Sequence, residues 1–125
     1  MHELKPYLNK IEKYFEPIIN QYSLKINAAK DHMVLLVGSH CIIEITTGNY
    51  YPDLQFVFKE SLTSKREITI GKFLKEKKLN NDLLSKDQIE ISNNIKDEID
   101  NGLYCFGIVI SKYCEELLNG DYFNK

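Results

Sequence analysis

The chain has 125 residues, 43% hydrophobic and 27% charged, with 18 acidic against 16 basic side chains and a net charge of −2. That balance belongs to a soluble globular chain, one domain spanning residues 1–125, and excludes a disordered or fibrous one. The three cysteines, Cys41, Cys105 and Cys114, are an odd count and exclude a complete disulfide framework.

The first twenty residues read as a helix. Leu4, Tyr7, Leu8, Ile11, Phe15, Ile18, Ile19 and Tyr22 recur at spacings of three and four and make one apolar stripe. Pro17 removes a backbone donor inside that stripe while the phase continues past it, so a kinked helix is expected. A β region follows. Leu24, Ile26 and Ala28 alternate with other residues up to a turn at Lys30-Asp31-His32. Met33–Val37 and Cys41–Thr47 are strands joined by a tight hairpin at Gly38-Ser39-His40, which would set His40 opposite Val37. Gly48–Asp53 is dense in turn formers, Leu54–Lys59 is a further strand, and Glu67–Ile70 a short one.

Gly71–Lys78 has the pattern of a short helix anchored by Phe73 and Leu74 and ended by Asn80-Asn81. From about Asp87 a long helical run carries Ile95, Ile99, Leu103, Phe106, Ile110 and Leu117 inward. Gly102 and Gly107 within it mark either a break or a close approach to the sheet, and Asn119-Gly120 is a stop signal. The expected fold is α+β: an antiparallel meander of four to five strands packed against an N-terminal helix and a long C-terminal helix. Both helices would cover one sheet face and leave the other partly open.

Motifs that carry chemistry are sparse. His2, His32 and His40 have no ligand spacing and no Cys-x-x-Cys occurs, so no metal and no cofactor is expected. His40 and Cys41 are neighbours on a strand and point to opposite faces, which disfavours a nucleophile–base pair. Gly71-Lys72 lacks the rest of a phosphate loop. The longest apolar stretch, Met33–Val37, is far short of the roughly 20 residues of a membrane helix. The opening residues lack a signal sequence's order of basic then apolar. A cytoplasmic protein without membrane association is expected. An overall pI near 5.9 argues against nucleic acid as a partner.

Charge is segregated along the chain. Residues 61–80 hold six cations against two anions, and residues 81–125 hold nine anions against four cations. Such blocks steer and select charged partners. Within the acidic block, Asp97, Glu98 and Asp100 are expected to form an exposed helix ridge with only Lys96 to compensate it. Glu115, Glu116 and Asp121 extend the acidic surface toward the C-terminus. Tyr50 and Tyr51, in the turn, are candidate interface anchors.

The order of amphipathic helix, strand meander and helical C-terminal half resembles the small cytosolic immunity proteins of bacterial polymorphic or contact-dependent toxin systems. The segment Tyr113-Cys114-Glu115-Glu116-Leu117-Leu118-Asn119-Gly120-Asp121-Tyr122-Phe123 is similar to the Leu-Leu-x-Gly-Asp endings of several such proteins. The resemblance implies a non-enzymatic inhibitor, monomer or homodimer, that binds a cognate protein toxin, often a nuclease. Here it would cover a basic functional surface with Asp97, Glu98, Asp100, Glu115, Glu116 and Asp121, helped by Tyr50 and Tyr51. Alternatives are a small ligand-binding or homodimeric adaptor domain, or a small hydrolase.

Overall fold

Alternating side chains in consecutive segments build a five-stranded antiparallel sheet whose strands lie in sequence order. They are β1 (Lys25–Lys30), β2 (Met33–Val37), β3 (Ile42–Thr47), β4 (Leu54–Lys59) and β5 (Glu67–Thr69). The computed structural model describes residues 3–48, 54–79 and 82–124; the turn expected at Gly48–Asp53, apart from Gly48, and the helix stop at Asn80-Asn81 lie outside them. Register sets Ile26, Leu36, Ile43, Phe58 and Ile68 in one row across the sheet and Val34, Ile45 and Phe56 in the next. A strand repeats every two residues, so both rows share a face, and all but Ile26 are buried there. The opposite face carries Leu35, Glu44 and Val57 at intermediate exposure, with Lys59 paired to Glu44 at 3.4 Å.

The N-terminal helix is kinked as expected. A 3-10 turn (Lys5–Tyr7) leads into α1 (Leu8–Tyr14), and α2 (Glu16–Gln21) follows after Phe15. Pro17 has no N–H for the carbonyl of Lys13, so the ladder loosens there. Bonds from Phe15 N–H to the Ile11 carbonyl and from Ile19 N–H to the Phe15 carbonyl, both 2.9 Å, keep the two pieces in phase. Phe56 of β4 is the meeting point of the layers. Its ring centroid lies 6.0 Å from that of Phe15 and 4.7 Å from that of Phe106 in the C-terminal half.

Two details of the strands differ from the sequence reading. Val37 pairs with Ile42, and Gly38 N–H donates to the Cys41 carbonyl at 3.0 Å. The hairpin tip is therefore Ser39-His40, and His40 does not face Val37. Gly38 serves packing instead of the turn: a Cβ there would lie 2.5 Å from Leu24. α3 (Ile70–Glu76) begins directly after β5, where the Thr69 hydroxyl accepts from Lys72 N–H at 3.3 Å.

The C-terminal half is three helices, not one run. α4 (Lys86–Asn93) starts at a Ser85–Gln88 capping box, α5 (Glu98–Tyr113) is the long helix, and α6 (Glu115–Leu118) closes the chain before a last 3-10 turn at Asp121–Asn124. The break before α5 has a local cause. Asp97 sits in extended backbone and its carboxylate caps Ile99 and Asp100 N–H at 2.9 and 3.1 Å. Gly102 and Gly107 do not interrupt α5. A Cβ on Gly102 would meet Leu54 of the sheet at 2.8 Å, whereas one on Gly107 would meet the Tyr14 carbonyl oxygen at 2.8 Å. The second glycine thus admits the N-terminal helix. Gly120, at φ +84°, ends α6 against the His40 carbonyl. Among the described residues no helix is long and apolar enough to cross a membrane.

Candidate functional site

Asp97 and Asp100, expected on an open acidic ridge, are turned toward the N-terminal helix. Asp97 accepts from the Tyr7 hydroxyl at 2.6 Å, and Asp100 accepts from the Tyr14 hydroxyl at 2.6 Å and pairs with Lys10 at 3.5 Å. Lys10 as well as Lys96 therefore compensates this end of α5. The phenol of Tyr7 is pushed up to about 12, first by its bond to the Asp97 carboxylate and then by burial. Burial is the larger cause for Tyr14, also pushed up to about 12, with the Asp100 bond second. The same contact with Tyr7, reinforced by Asp100 N–H, holds the Asp97 carboxyl below its usual range. These two carboxylates tie the start of α5 to residues 90 and 86 positions away in sequence.

The other sequence candidates are scattered. Glu98 is exposed in the first turn of α5, where the helix dipole favours a negative charge. Glu115 and Asp121 are exposed at the far end of the helical half. Glu116 instead crosses to α3, pairing with Lys77 at 2.6 Å. The Tyr122 hydroxyl donates to Glu76 at 3.0 Å, and its ring packs edge-on against Phe73. The basic and acidic blocks thus meet inside the fold at α3 and the C-terminal tail. Tyr50 and Tyr51 lie outside the described residues.

Two concave features were not legible in the sequence. The first is a groove of about 440 Å³ between α4, α5 and the N-terminal helix, lined by Tyr14, Pro17, Ile91, Ile95, Tyr104 and Ile108, with Lys13 at its edge. α4, which buries none of its own residues, forms one wall. It is held to α5 partly by the Ser92 hydroxyl, which donates to Asn101 at 2.6 Å. Ile91 remains 51% exposed and Ile89 46%, but two positions apart on a helix they point to opposite flanks. Only Ile91 faces the groove, and Asp87, one turn before it, stands on the same side.

The second is an apolar cleft of about 560 Å³ at the end of β5, where the chain leaves the sheet for α3. β5 pairs with β4 only from Val57 to Lys59, so the sheet recedes beside Leu54, Gln55 and Phe56. Thr69, Ile70, Gly71 and Leu74 form one wall and Phe106 of α5 another.

Cys41 and Cys114 are buried, and burial pushes both thiols up to about 12, which keeps them protonated at neutral pH. Cys105 is partly exposed, with Ser92 and Asn101 each 3.3 Å from its sulfur. His32 and His40 sit in the turns at opposite ends of β2. Among the described residues no three His, Cys, Asp or Glu side chains converge in a way that could hold a metal ion. Comparison with protein-family models, curated proteins and solved structures returned no match to the chain.

Proposed function

We propose that this protein is an immunity protein, a non-enzymatic inhibitor that binds a cognate bacterial toxin domain in the cytoplasm and covers a basic functional surface. The observation that carries the reading is Ile91, half-exposed on the wall of a groove floored by Ile95, Tyr104 and Ile108, on a short helix that also carries exposed Asp87 and Glu90. Protein interfaces combine a small apolar centre, often with tyrosine, and a charged rim that speeds and selects encounter. The exposed carboxylates Asp87 and Glu90 supply the acidic rim, and Ile91 the centre. Asp97, Asp100 and Glu116 support the fold in this reading and do not themselves touch the toxin.

The test is co-purification with the product of the adjacent gene, followed by binding measurements over a range of salt. Glu90→Lys, in the C-terminal half of α4 where the helix dipole tolerates a cation, should slow association and flatten its salt dependence without lowering the urea midpoint. Ile91→Asp should weaken the complex by about 2 kcal/mol or more, as for a buried interface anchor. Full affinity in both variants would rule out this surface. The absence of any complex would rule out the function.

A further inference from the structure

We propose that the cleft between β4, α3 and α5 is a binding site for a small amphiphile with an apolar body and an anionic head. Its walls are Leu54, Phe56, Ile70, Leu74 and Phe106, and its volume, about 560 Å³, lies in the range of small-molecule sites. Gly71 supplies the second observation. It lies within α3 and lines the cleft, yet its backbone does not adopt positive φ and a Cβ built on it would find nothing within 4 Å. Glycine weakens a helix relative to alanine. Gly38 and Gly107, by contrast, are required by close contacts with Leu24 and Tyr14. At Gly71 the missing side chain only keeps the cleft open.

The head group follows from the charges at the two ends. Lys75, exposed and one turn beyond Gly71, stands on the same side of α3. At the other end, Glu98 is one turn before Gly102, the residue that packs on Leu54. An anion is therefore favoured at the α3 end and repelled at the Leu54 end, which orients the apolar body along Phe56 and Phe106. This site is independent of the toxin-binding reading, and its test uses the isolated chain.

Amide NMR spectra of the full chain would be followed during titration with decanoate, acetate and decyltrimethylammonium. Decanoate should shift the amides of Gly71, Leu74 and Phe106, while acetate leaves them in place and the ammonium amphiphile binds more weakly. Gly71→Leu should weaken decanoate by about tenfold or more at an unchanged or higher urea midpoint, and Leu74→Gln, of similar volume, should weaken it by making the same wall polar. Lys75→Glu should weaken decanoate and leave decanol binding unaltered. Failure of decanoate to shift these amides, equal affinity in Gly71→Leu and Leu74→Gln, or tighter binding of the ammonium amphiphile would each overturn the assignment.

Discussion

The Tyr14 hydroxyl donates to Asp100 at 2.6 Å, and the Tyr14 backbone carbonyl faces Gly107 two turns further along the same helix. One residue of the N-terminal helix is thus held to α5 by a charge-assisted hydrogen bond and by an approach that only glycine allows. Tyr7 and Asp97 repeat the polar half of this arrangement at the start of α5.

Removing the polar contact should cost stability without changing the fold. Tyr14→Phe is expected to destabilise by about 1 kcal/mol, because a hydrogen bond to a charged acceptor is strong but this one is only partly buried. Asp97→Ala should cost about 1–2 kcal/mol, since it removes the α5 cap as well as the Tyr7 acceptor. Urea unfolding of Tyr14→Phe, Asp100→Asn and the double variant measures the coupling directly. Strict additivity would mean that the contact contributes nothing.

The glycines should separate by sign. Gly107→Ala forces a Cβ against backbone that cannot rotate away and should destabilise by about 1–3 kcal/mol. Gly71→Ala meets open space and should stabilise by up to about 1 kcal/mol through helix propensity. Thermal melts of the two variants side by side check both, and a stabilising Gly107→Ala would refute the packing described here.

Stability should fall at both ends of the pH range, for opposite reasons. Tyr7 and Tyr14 move from 10.0 to about 12 on folding, so the unfolded chain loses these protons first. Their contribution is intact below pH 10.0 and is lost as the pH rises toward 12. Cys41 and Cys114, raised from 9.0 to about 12, begin the same loss earlier. The Asp97 carboxyl is lowered from 3.8, so its contribution is full above that value and disappears as the pH falls below it. The urea midpoint measured against pH should show both declines. The Tyr7→Phe/Tyr14→Phe double variant should lose less between pH 10.0 and 12.

Thiol reactivity tests the burial of the helical half. Ellman's reagent should modify Cys105 alone in the folded protein and all three cysteines after denaturation. Rapid native reaction at Cys114 would mean that α6 does not seal the end of α5 as described.

Much of the architecture was legible because its causes are local. The strands follow from the β-rich apolar run Met33–Val37 and from Leu54, Phe56 and Phe58 at alternate positions, and the kink from Pro17 in an otherwise continuous stripe. The break at Asp97 also had a local signal, Asn93-Asn94 followed by an aspartate before the helix, but the apolar spacing from Ile95 to Ile99 ran across it and masked it. The hairpin tip was misplaced because glycine has two uses. At Gly38 room for Leu24 decided, not turn geometry.

The sequence by itself determined the α+β class, the order of the meander, the covered sheet face and the segregation of charge, since each depends on neighbours within a turn or a strand. Only the tertiary structure decided which carboxylates are engaged within the fold. Asp97, Glu98 and Asp100 are close neighbours in sequence, yet Asp97 and Asp100 each receive a phenol from the other end of the chain while Glu98 does not. The groove at Ile91 and the cleft at Gly71 are likewise spaces between elements far apart in sequence. Periodicity says which face of an element is apolar, but the empty volume between elements depends on how they come to rest against one another.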